Sequence, residues 1–154
     1  MDRLWELLHL FFAFAFVGTL VVAEWNGRAA RATTDWSQRA LLYRIVLLAT
    51  RGAGLGSLVV LGLAGHALAA SRGWRMGADP WLMWVTGLWL LALADLLLLV
   101  LPSASRLASV SAAAVGGGAT DGFDRTLGRW RVGNVLLSAL YLTLLILMVL
   151  RWHS

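Results

Sequence analysis

The sequence predicts an all-α integral membrane protein, a four-helix antiparallel bundle with both termini on the same, outer side. Three observations carry that expectation. The 154-residue chain is 60% hydrophobic and 14% charged, with a mean hydropathy of +0.75, which leaves too little polar surface for a soluble monomer of this length. Its apolar residues gather into four runs, three of them near the roughly 20 residues that cross a hydrocarbon core about 30 Å thick and one longer. Tryptophan marks the ends of those runs, as interfacial anchors do: Trp5, Trp74, Trp81 and Trp152 at one set, Trp25, Trp36 and Trp130 at the other.

A single transmembrane domain is therefore expected over 1–154. Its first span covers about 4–23. The start, Met1-Asp2-Arg3 with Glu6 close behind, is not a basic leader, the apolar run is too long for a signal peptide, and no small-x-small cleavage site follows; a retained helix is expected. The second span, about 41–70, is long and carries Arg44 and Arg51 in its first half, which fits a strong tilt or an interfacial start. The third, about 81–101, opens at Asp79-Pro80 and closes at Pro102, and the fourth, about 133–150, exits at Arg151-Trp152. Between these two, 102–132 reads as a cytoplasmic loop with an Ala/Ser-rich surface helix, broken at Gly116-Gly117-Gly118.

Charge sets the orientation. The side holding the N-terminus carries Arg3, Arg72, Arg75 and Arg151; the other carries Arg28, Arg31, Arg39, Arg44, Arg106, Arg125, Arg129 and Arg131. Under the positive-inside rule the second set is cytoplasmic, which makes the chain N-out/C-out in a bacterial cytoplasmic (inner) membrane. The formal charge of +5 is explained by this topology, and no nucleic-acid partner is expected. The absence of cysteine excludes disulfides, iron–sulfur clusters and thiolate metal sites. No hydrolase, zinc-protease or phosphate-binding motif occurs, so an enzyme acting on its own is not indicated.

Ionisable groups at membrane depth are costly and each asks for a reason. His9 lies about five residues into the first span and His66 about four residues before the second ends. At 1.5 Å per residue both sit roughly 6–8 Å below the same boundary, on helices joined in sequence. Two imidazoles at one depth fit the axial ligands of a haem b. Gly62 and Ala70, one turn either side of His66, leave a face of low bulk; Ala13 is one turn after His9, with Phe12 and Phe16 as ring neighbours. Two other readings stay open: structural histidines that hydrogen-bond a neighbouring helix, with Gly62 serving close packing, and a copper site. The copper reading rests on the placement of His153, Met1, Met76, Met83 and Met148 on the histidine side, with Met83 and Met148 the nearest thioether ligands, a donor type that suits Cu(I). On the opposite side Arg51 and Asp95 are close enough in depth for an intramembrane ion pair, with Asn134 near it.

Leu8-His9-Leu10-Phe11 with Gly18 nine residues after His9, then Arg51-Gly52, a Trp-led third span, and a last span ending Leu147-Met148-Val149-Leu150-Arg151 together resemble the DUF2269 family of bacterial integral membrane proteins over nearly the whole chain. That family is similar, more distantly, to the CopD-like copper-resistance membrane proteins and the HemJ-type haem-pathway oxidases, which share an early helical His followed by Gly. Phe16 stands where relatives often have Trp, and Arg151-Trp152 where they often have Lys-Pro. The resemblance implies a four-helix membrane bundle and draws attention to His9. Three functions are compatible with it: a haem b-binding electron-transfer subunit, a cofactor-free accessory subunit of a larger membrane complex or a homo-oligomer, and a copper-handling membrane protein.

Overall fold

The computed structural model describes residues 2–152; Met1 and His153 of the copper reading lie outside the described residues. Four long helices make up the fold: α1 (Asp2–Ala32), α2 (Trp36–Ser71), α3 (Pro80–Val115) and α4 (Phe123–Trp152). Each is long and apolar enough to cross a membrane. Many of the side chains that face outward are large and apolar, as a lipid phase tolerates, Leu7, Phe14, Trp84, Leu98 and Val135 among them.

Local chemistry explains where the helices begin. Thr33 Oγ1 accepts from the Asp35 N–H, and the Asp35 carboxylate accepts from the Ser37 N–H at 2.9 Å, an N-cap that starts α2. Asp79 does the same for α3, accepting from the Trp81 N–H at 3.0 Å with Pro80 in the first turn, the start that Asp79-Pro80 predicts. The connection between α3 and α4 is only 116–122, with Gly117 and Gly122 at positive φ.

The apolar spans are the middles of longer helices. α3 runs straight through Pro102, so 102–115 continues the third helix instead of forming a separate surface element. The reason is local. Proline removes the backbone donor and crowds the carbonyl four residues back, but a π-helical turn over Leu96–Val100 immediately precedes it, and the Leu101 N–H bonds to Leu96 O. A second π turn covers Thr50–Gly54, where Gly54 approaches Thr19 of α1.

The core runs along the bundle through Phe16, Leu58, Leu96 and Leu137 to Tyr43, Leu107 and Trp130. Trp130 is therefore a fully buried core residue, not an interfacial anchor; its indole lies against Gly27, where a Cβ would collide with the ring. Packing is tightest between the first half of α2 and the last half of α3, and α1 lies along the whole of α2. By contrast the second half of α2 and the first half of α3 touch little. The helices splay at the end that carries His9 and His66.

Candidate functional site: a histidine-lined cavity

That splay holds a cavity of about 680 Å³, walled by all four helices and lined mainly by apolar side chains. The size falls in the range of small-molecule and cofactor sites, about 300–1,000 Å³. His9, Ala13, Gly62 and His66 all line it, so two helices bring four of the expected site residues together. Phe12 does not: it packs against the core, edge-on to Phe11 at 5.2 Å. Phe16 is buried against Tyr141, with ring centroids 4.8 Å apart.

Both imidazoles are anchored by the backbone of α2. His9 Nδ1 lies 3.1 Å from Leu61 O, and its ring rests on Gly65. His66 Nδ1 lies 2.7 Å from Gly62 O, one turn back on its own helix. A carbonyl only accepts, so each Nδ1 carries a proton, and in the neutral ring Nε2 keeps its lone pair. This is the tautomer that metal-ligating histidines are held in. His66 Nε2 is 3.0 Å from Thr86 Oγ1, whose single proton serves that nitrogen, Leu82 O at 2.7 Å or Met76 Sδ at 3.8 Å. His9 Nε2 is 3.4 Å from Met148 Sδ. A thioether has no proton to give, so the His9 lone pair has no hydrogen-bond donor among the described residues.

Gly62 does not provide the open face that its size predicts. The Trp89 indole lies directly on it, held by donation from Nε1 to Leu58 O at 2.9 Å and packed near the His66 ring at 5.7 Å. Ala70 is exposed. The cavity wall also includes Gly65, Leu68, Ala69, Trp74 and Trp81, together with Arg72, whose Nη2 is 3.9 Å from Glu6 Oε1. At the inner end the Tyr141 hydroxyl donates to Ala13 O at 2.8 Å.

Of the thioethers, Met148 lines the cavity, while Met83 is more than half exposed and lies outside its wall. No group of three or more His, Asp or Glu side chains is placed to hold a bare metal ion among the described residues.

Arg51 and Asp95 are not brought together. Arg51 is exposed on its π turn, whereas Asp95 sits just before the other π turn, 6% exposed, with neither carboxylate oxygen hydrogen-bonded among the described residues. The π turns reset the faces of both helices, which a regular 3.6-residue period does not anticipate. Asn134 belongs to a different group: its Nδ2 donates to Glu24 Oε2 at 3.0 Å, and Glu24 in turn holds Arg28 at 2.7 Å.

Thr86, Trp89 and Tyr141 were not singled out by sequence. A polar Thr in a Trp- and Leu-rich span, at a depth matching His66, was the available signal for the first. The chain matches no protein-family model, no curated protein and no solved structure.

Proposed function

We propose that this chain is a multi-pass protein of the bacterial inner membrane, N-out/C-out and antiparallel, that binds a haem b between His9 and His66 as a redox or electron-transfer subunit. Membership of the DUF2269 family is part of the same proposal. The observation that carries it is the pair of imidazoles lining one apolar cavity, each with Nδ1 fixed by a backbone carbonyl; His9 Nε2 has no donor among the described residues, and His66 Nε2 would exchange its contact with the Thr86 hydroxyl for the iron.

The donor set fits the group. Haem needs only two protein ligands, so the lack of a three-ligand cluster is no obstacle. The cavity volume and the wall of Leu, Val and Trp suit an apolar macrocycle, and Arg72 offers a cation for a propionate. The Gly62 face, taken by Trp89, contributes no room, and ligation would displace Thr86 from His66 Nε2 and Met148 from His9 Nε2. When bound, haem supplies one-electron chemistry; the chain's own residues hold the iron ligands in one tautomer and keep water out. Redox partners would come from a larger membrane complex or a second copy.

Copper handling is the second reading, favoured by one contact. His9 Nε2 and Met148 Sδ present an imidazole and a thioether 3.4 Å apart, both suited to Cu(I). Haem and metal analysis of the purified protein, with His9→Ala and His66→Ala beside it, tests both. A normal haem spectrum in either variant removes the bis-His site, and copper in place of haem establishes the second reading.

A further inference from the structure

A second cavity, of about 420 Å³, lies at the arginine-rich end, between the C-terminus of α1 and the N-termini of α2 and α4. Its walls include Arg31, Trp36, Arg39, Thr120, Phe123 and Asp124. Arg39 is held firmly. Its Nε donates to Thr33 O at 2.9 Å and Ala30 O at 3.2 Å, satisfying carbonyls at the end of α1. Its guanidinium also stacks on Trp36 at 4.7 Å, with Phe123 at 5.7 Å. The two terminal nitrogens of Arg39 have no hydrogen-bond partner among the described residues.

Arg31 supplies the second cation. Its Nη2 is 3.8 Å from Glu24 Oε1, longer than a hydrogen bond, and its Nη1 is buried with no partner among the described residues. A buried guanidinium N–H without an acceptor is costly; Nη1 is shielded as it stands, and a turn of the guanidinium toward the cavity that Arg31 lines would give it one. Asp124 lines the same wall yet pairs with neither arginine among the described residues. The pocket thus holds a fixed cation, a second arginine that pairs with Glu24 and has one nitrogen without a partner among the described residues, a hydroxyl and one carboxylate, closed on one side by two aromatic rings.

We infer that this cavity binds the phosphate of an anionic phospholipid headgroup, held between Arg31 and Arg39 with the Thr120 hydroxyl as a third donor. Guanidinium forks match phosphate oxygens in pairs. The pocket opens at the helix ends, where the phosphates of a leaflet lie, and Trp36 and Phe123 offer the amphipathic wall that a glycerol backbone meets there. The inference needs only that the helices span a membrane, and it is independent of the haem reading.

The test is native mass spectrometry of the full-length, detergent-purified protein titrated with phosphatidylglycerol, with phosphatidylcholine, and with inorganic phosphate. One phosphatidylglycerol per chain is expected to be retained in preference to phosphatidylcholine. Arg31→Gln should weaken it roughly tenfold, the loss of one charge-assisted pair. Arg44→Gln removes an exposed arginine outside the pocket and should leave binding unchanged, and Asp124→Asn should tighten it. Because Arg39 also caps α1, Arg31→Gln is the deciding variant. Equal losses in Arg31→Gln and Arg44→Gln overturn the site, as does retention of both lipids alike. Inorganic phosphate bound where phosphatidylglycerol is not overturns the lipid assignment.

Discussion

Replacing Gly62 by Ala probes the wall of the histidine cavity with one methyl group. A Cβ at this position would lie inside contact distance of the Trp89 indole, against both its six-membered ring and Nε1. The indole has to leave, and its bond to Leu58 O at 2.9 Å goes with it. Forcing an extra carbon into a packed site costs about 1–3 kcal/mol, and a lost neutral hydrogen bond about 1 kcal/mol more. A destabilisation of about 2–4 kcal/mol is expected on these two grounds. The assay is unfolding of the detergent-solubilised protein by SDS titration, followed by tryptophan fluorescence. Gly87→Ala is the control, since a Cβ there meets nothing within 4 Å; it should be neutral or stabilising by up to about 1 kcal/mol through helix propensity. In a Trp89→Phe background the cost of Gly62→Ala should shrink, a non-additivity that identifies the clash as its source. If Gly62→Ala costs no more than Gly87→Ala, the indole does not rest on Gly62 and the described cavity wall is wrong.

Asp95→Leu removes a buried carboxyl that has no hydrogen-bond partner among the described residues, so it is expected to stabilise the protein by about 1–3 kcal/mol, while Arg51→Gln should change little; a loss of about 3–5 kcal/mol in both would reinstate an ion pair. Tyr141→Phe deletes the donor to Ala13 O and should cost about 0.5–1.5 kcal/mol in the same unfolding assay; no change would place the hydroxyl elsewhere. His9→Ala and His66→Ala are each expected to abolish low-spin haem binding while leaving membrane insertion intact, read by absorption spectra and carbonate extraction. Met148→Leu should leave that spectrum unchanged, because its sulfur only faces the His9 ring; loss of the low-spin signal there would give the sulfur a ligand's role.

The four long apolar helices were legible because twenty-residue apolar runs have few other interpretations, and Asp79-Pro80 marks the start of α3 through a cap that sequence rules describe well. Helix ends were less legible. Pro102 reads as a stop by any local rule, and only the π turn before it, which no residue pattern announces, carries the helix on to Val115. Those same π turns upset any placing of Arg51 and Asp95 by depth along a regular helix, whereas His9 and His66, on regular stretches, line one cavity. The segment of α2 between Leu61 and His66 is an uninterrupted α-helix, and so is all of α1. Trp130 was misplaced because tryptophan at a span boundary serves equally well as an anchor or as core, and the deciding partner, Gly27, is more than a hundred residues away in sequence.

The decisive measurement is an absorption spectrum of the detergent-purified protein, oxidised and then reduced with dithionite, with iron and copper assayed on the same sample. A sharp α-band on reduction, at about one haem per chain and lost in His9→Ala and His66→Ala, is the expected result. A featureless visible spectrum from protein expressed with ample haem would contradict the assignment of the cavity to haem.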